Sequence, residues 1–159
     1  TAVHIALSLI GIMAFWLGIM RIAEKSGLVQ IISKILYPVT KFLFKDVKKD
    51  SPAVGDIAMS VTANALGLTN AATPIGLKVM KELQEENPNK EKATDAMCMF
   101  LGMNTAGFQI IPATVIAVLV GAGASNPTDI ILPTLIVTTL SFLTAITAAI
   151  ILRKIWRED

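Results

Sequence analysis

Apolar residues run along this chain in long stretches that stop abruptly where charge begins. No Asp, Glu, Lys or Arg occurs between Ala2 and Met20, and between Ala96 and Leu152 the only one is Asp129. Charges gather instead from Arg21 to Asp50, from Lys78 to Asp95 and from Arg153 to Asp159. A membrane span needs roughly 20 mostly apolar residues, and Ala2 to Met20 and Ile130 to Leu152 both qualify. After the first span, Leu28, Ile31, Ile32, Ile35, Leu36 and Val39 recur at helical spacing, with Gln30, Lys34, Tyr37 and Lys41 on the other face. That pattern predicts a helix lying in the membrane surface, kinked at Pro38.

Further on, the elements become too short to span. Ser51 is placed to cap a helix that has Pro52 in its first turn. From Pro52 to Leu66 there is helix for about 22 Å, against a hydrocarbon core of ~30 Å. The stretch "GLTNAATPIG" then interrupts it. Thr73, read as a cap, and Pro74 restart a helix to about Leu83, roughly 15 Å more. Lys45, Lys48 and Lys49 precede the pair, and Lys78, Lys81, Lys90 and Lys92 lie in or after it. The positive-inside rule puts both ends in the cytoplasm, so the pair reads as a re-entrant hairpin. A second interruption, "GMNTAGFQIIPAT", breaks the apolar run from Ala93 to Val120. The loop "GAGASNPTD" carries no Lys or Arg and reads as external. Asn126 and Pro127 are expected to cap the last span, with Asp129 in its first turn, and this helix returns the C-terminus to the cytoplasm.

Composition narrows the function classes. The 159 residues make one small domain, 53% hydrophobic and 16% charged, where a soluble domain carries roughly 25% charge. A net charge of +2 gives no reason to expect a nucleic-acid partner. Cys98 is the single cysteine, which excludes an internal disulfide and a multi-cysteine metal site. No phosphate loop, nucleophile–base pair or metal-ligand spacing appears, so neither a catalytic residue nor a cofactor is expected. His4 reads as interfacial, Asp56 as a carboxylate near a helix start, and "MCMF" (Met97 to Phe100) as core filler. The start at Thr1, inside an apolar run, is read as the loss of an upstream helix.

The two interruptions carry the candidate chemistry. Irregular backbone at membrane depth survives only where protein or a wet cavity satisfies its amide groups. Paired breaks of this kind mark midplane binding sites in transporters. Asn64, Thr69, Asn70, Thr73, Asn104, Thr105 and Gln109 supply donors and acceptors without fixed charge. They suit a neutral or singly anionic polar solute, or water. The same residues also read as interhelical glue, since amides and small residues hold membrane helices together.

At "NALGLTNAATPIGLKVMKEL", "FLGMNTAGFQIIPATVIAVL" and "NPTDIILPT", the sequence resembles the spore maturation protein A family, membrane proteins with a nucleoside-recognition, or Gate, domain. "FWLGIMRIAEKSGL" (Phe15 to Leu28) resembles it too, and the likeness covers nearly the whole chain. The resemblance implies a multi-pass protein of the bacterial cytoplasmic membrane, a link to spore-core dehydration, and a partner like spore maturation protein B. It also implies likeness to the re-entrant hairpins of concentrative nucleoside transporters and of ferrous-iron transporter B.

Together these readings predict an all-α integral membrane protein, with spanning helices, a re-entrant hairpin and a broken helix of Gate type. It is expected to be a transport or channel subunit in a homo-oligomer or hetero-oligomer, binding a small polar solute between the breaks. The alternative is a non-transporting scaffold that docks a partner; an intramembrane enzyme ranks third.

Overall fold

The computed structural model describes residues 25–48 and 51–155, isolated helical positions 7, 10, 11, 14, 18, 21 and 22 before them, and the backbone alone at 29 and 69–71. Apart from those isolated positions, the expected span from Ala2 to Met20 lies outside the described residues. The helices are α1 (Leu28–Leu43), α2 (Pro52–Ala65), α3 (Thr69–Glu86), α4 (Asp95–Ala106), α5 (Ala113–Gly121) and α6 (Ile131–Ile155).

Helix α1 forms over the predicted amphipathic stretch and keeps Pro38 inside it. Its faces divide differently from the expectation. Thr40 is buried, and Tyr37, expected on the polar face, packs with Leu43 against the core. The outward stripe is apolar, with Leu28, Ile31, Ile35, Val39 and Phe42 exposed.

Helix α2 starts as predicted: the Ser51 hydroxyl oxygen accepts from Ala53 N–H at 3.2 Å, and Pro52 takes the first position, where no donor is needed. Its end is a Schellman motif. Leu68 N–H donates to Ala63 O at 2.8 Å and Gly67 N–H to Asn64 O at 2.9 Å, with Gly67 left-handed at φ +72°. Leu68 also packs on Ala63 and Ala72, the apolar contact that accompanies such a cap.

The next helix does not restart at Thr73; α3 begins at Thr69 behind Leu68, so Thr73 is not a cap and Pro74 lies inside the helix. The Schellman motif reverses the chain within two residues, so helical geometry resumes a turn earlier than the proline suggests. The helix also runs past Leu83 to Glu86. Helices α2 and α3 lie antiparallel: Lys78 meets Asp56, Gly76 faces Ser60, and Ala72 packs near Ala63. Helix α3 joins the core through Val79 and Leu83, which pack with Val54 and Ile57 of α2.

Helix α4 is capped by Thr94, whose Oγ1 accepts from Met97 N–H at 3.2 Å, and it ends at Gly107 with φ +59°. Met99, Phe100 and Met103 face the core, whereas Cys98 is exposed and is not core filler. After the break, α5 adds nine residues, about 13 Å, too few to span. The last helix, α6, has 25 residues, about 37 Å, and is the one described helix long and apolar enough to cross a membrane. It begins at Ile131. Residues 126–130 form a turn in which Asp129 N–H donates to Asn126 O at 3.3 Å, so Asn126 is not its cap. No residue of α6 is fully buried. Several of its hydroxyls nevertheless find partners: Thr139, Thr144 and Thr147 each donate to the carbonyl four residues back at 2.6–2.7 Å. That lets polar side chains sit on an apolar helix without an unmet donor.

Helices α4 and α6 run antiparallel. Arg153 Nε pairs with Asp95 at 3.2 Å, and its guanidinium also pairs with Asp46. At the other end of α4, the rings of Phe108 and Phe142 lie 5.7 Å apart. The segments before α2, at the start of α4 and at the end of α6 therefore share one end of the molecule.

Candidate solute site at two helix breaks

The first break leaves one carbonyl of α2 unmet by its own cap. Ala65 O is satisfied from the second break instead, accepting from Ile110 N–H at 2.8 Å and from Ile111 N–H at 3.4 Å. Gly67 sits against the same segment. A Cβ built on it would lie 2.5 Å from Ile111 O and 3.1 Å from Ala113 Cβ. The second break is anchored on its far side by Thr138 of α6, whose Oγ1 accepts from Gln109 N–H at 3.2 Å. Thr138 lies about 22 Å along α6 from Arg153 and about 10 Å from Ile131. Both breaks thus lie at one level, away from the charged end.

One turn below this junction the two segments exchange side chains. Asn64 Nδ2 donates to Asn104 Oδ1 at 2.8 Å, and Ser60 Oγ approaches the same oxygen at 3.5 Å. The amide pair keeps one acceptor, Asn64 Oδ1, and one donor group, Asn104 Nδ2, for further bonds. Both residues line a cavity of about 330 Å³ with Thr73, Gly76, Met80 and Phe100 among its walls. Gly76 makes the room: a Cβ there would lie 3.5 Å from Asn104 Nδ2 and 3.8 Å from the Phe100 ring. Such a chamber, apolar in its walls with a donor and an acceptor at one end, is the usual chemistry of a small-solute pocket.

The candidate residues separate accordingly. Asn64, Thr73 and Asn104 come together around the cavity. Thr105 is exposed and is not among its lining residues. Gln109 contributes its backbone to the Thr138 anchor. Thr69 and Asn70 occupy the first turn of α3, and their side chains lie outside the described residues.

The sequence matches the family model described as nucleoside recognition (Gate) over residues 6–123. It is 42% identical over 145 residues, 91% of this chain and 74% of the relative, to spore maturation protein A of Bacillus subtilis (strain 168). The chain belongs to the spore maturation protein A family of Gate-domain proteins. No solved structure matches it. The Gate match includes both breaks and all seven candidate residues. With α6 long and apolar enough to cross a membrane, this Gate-domain chain is a helical membrane protein.

Toward the charged end, the Gate hairpin holds a feature that reading Asp56 as a helix-start carboxylate missed. No acidic residue lies in the first turn of α2. Asp56 is the fifth residue of that helix, and its Oδ2, sealed from solvent, pairs with Lys78 Nζ at 2.7 Å. Glu82 lies one turn further along α3, 3.6 Å from the same ammonium. Burial, and then the neighbouring Asp56 carboxylate, hold the Glu82 carboxyl above its ordinary range, with Lys78 opposing. The hydrogen bond and charge of Asp56 raise Lys78 in turn. Ser60, also overlooked, was legible as the residue one turn before Asn64. Thr138 was not, because nothing local distinguishes it from the other threonines of α6.

Proposed function

We propose that this chain is a non-enzymatic transport or channel subunit of the bacterial cytoplasmic membrane. Its site for a small, uncharged or singly anionic polar solute is the chamber below the two breaks. The observation that carries this reading is the Asn64–Asn104 amide pair, which opens with Thr73 on a cavity at the junction of two interrupted helices. Interrupted helices facing each other are the arrangement by which transporters place polar groups at the bilayer midplane. Lysine and arginine placement favours a re-entrant α2–α3 hairpin and a cytoplasmic C-terminus. The relative's name supports a role in spore maturation, and we place the chain in an oligomer with copies of itself or with a spore maturation protein B-like subunit.

The test is flux into proteoliposomes made with the purified chain. The probes are radiolabelled uridine, suggested by the family's description, and water, followed by osmotic shrinkage. Asn104→Ala should abolish the flux of whichever probe the wild type moves, in a variant that still inserts and stays folded. A second reading, scaffold rather than transporter, is favoured by one fact: the Asn64–Asn104 bond is itself an interhelical tie of the kind that glues membrane helices. Loss of stability, with no flux of either probe by the wild type, supports the scaffold.

A further inference from the structure

A second cavity, of about 400 Å³, lies between α4 and α6 at the charged end, well away from the amide pair. It exists because both helices present small residues to each other. Ala145, Ala148 and Ala149 come from α6 and Gly102 from α4. A Cβ on Gly102 would touch nothing within 4 Å. Met99 and Leu152 add apolar wall.

One end of this slot is charged. Arg153, Asp46 and Asp95 all line it. The Arg153 side chain is 30% exposed and those of Asp46 and Asp95 are 49% and 57% exposed, so none of the three is closed off from a further partner. Arginine has five N–H donors, more than its two carboxylate pairs consume. The three groups together carry one net negative charge. The slot follows the last turns of the spanning helix, so its apolar part lies at hydrocarbon depth. Its charged end falls where arginine side chains reach the headgroup boundary.

A ligand for this shape needs an apolar tail and a head with two features. The surplus of carboxylate calls for a cation, and the unused guanidinium N–H groups call for an anionic oxygen. An amine linked to a phosphodiester has both. We propose that the α4–α6 slot is a binding site for a membrane phospholipid with a primary-amine headgroup, its acyl chain between the helices and its ammonium on Asp46 and Asp95. This site is separate from the proposed solute chamber and does not depend on it.

The experiment is native mass spectrometry of the full chain, titrated with dioleoyl phosphatidylethanolamine or dioleoyl phosphatidylglycerol. The wild type should retain the amine lipid more tightly. Gly102→Leu fills the slot from a position with free space, and Ala148→Leu fills it from α6, so one of the two suffices should the other fail to fold. Displacing even two buried methylenes weakens binding by about tenfold. Asp46→Asn with Asp95→Asn should reverse the headgroup preference while a lipid is still retained. Cys98, on the slot wall, gives an independent readout: the amine lipid should slow its alkylation by N-ethylmaleimide in the wild type and not in the filled variant. Equal retention of the two lipids by the wild type overturns the proposal. So does undiminished retention in a folded filled variant, or a slot occupied by a second copy of the chain with alkylation indifferent to lipid.

Discussion

The α-carbon of Gly67 is pressed against the carbonyl of Ile111 so closely that one added methyl group would sit 2.5 Å from that oxygen. At φ +72° the same residue also adopts a backbone conformation that side chains disfavour. Gly67→Ala should therefore destabilise the fold by about 3 kcal/mol, combining left-handed strain with a clash against backbone that cannot give way. Gly55→Ala, at the fourth position of α2 with nothing within 4 Å of the new methyl, is the control and should hold or raise the melting temperature. Thermal unfolding in lipid nanodiscs reads both, and equal melting points would show that the breaks do not meet.

Asn64 and Asn104 should be energetically coupled. Each single alanine substitution leaves the other amide short of a partner, and the double substitution removes both needs. A double-mutant cycle should return about 0.6–1.7 kcal/mol, the range of interhelical hydrogen bonds in membranes. Additive effects would mean that the amides do not share a bond.

Stability should depend on pH through Glu82. Its carboxyl is raised in the folded state, so folding favours the protonated form. The contribution is full below the ordinary value of 4.5 and is lost as pH rises through the higher folded value. Melting curves should thus fall as pH increases over that window, and Glu82→Gln should flatten this part of the profile. A variant profile parallel to the wild type would remove Glu82 as the cause.

The ion pairs among Asp46, Asp95 and Arg153 gather three chain segments at one end, and the proposed orientation, which rests on lysine and arginine placement, puts that end in the cytoplasm. In a Cys98→Ser background, single cysteines at Asn89 and Ser125 should be labelled by an impermeant maleimide from opposite faces of the membrane, Asn89 from the cytoplasm. Labelling of both from the same face would defeat the re-entrant hairpin.

What the sequence made legible was local. Ser51–Pro52 announces the start of α2 and Gly67 opens the interruption that ends it, because caps depend on a few adjacent residues, whereas the second interruption, read from Gly102, begins only after α4 closes at Ala106. Thr73–Pro74 misled for the same reason. A proline looks like a beginning, yet the closure at Leu68 had already turned the chain and the helix resumed before it. The polar character of the site was legible in its residue types, but the pairing was not. Asn64 meets Asn104 across a packing of three helices that no short-range pattern encodes, and the same holds for Thr138 beneath Gln109.

The bond from Ile110 to Ala65 also has a consequence for how the protein is made. When the ribosome has finished the α2–α3 pair, Ala65 O has no acceptor role filled, because its donors lie in residues not yet translated. Entering hydrocarbon at that stage would strand a carbonyl at a cost of several kcal/mol. The pair is therefore expected to wait at the water boundary, or within the insertion machinery, until the chain has been made past Ile110. If the breaks sit at membrane depth as proposed, the two should then enter the bilayer together, as one late step of biogenesis.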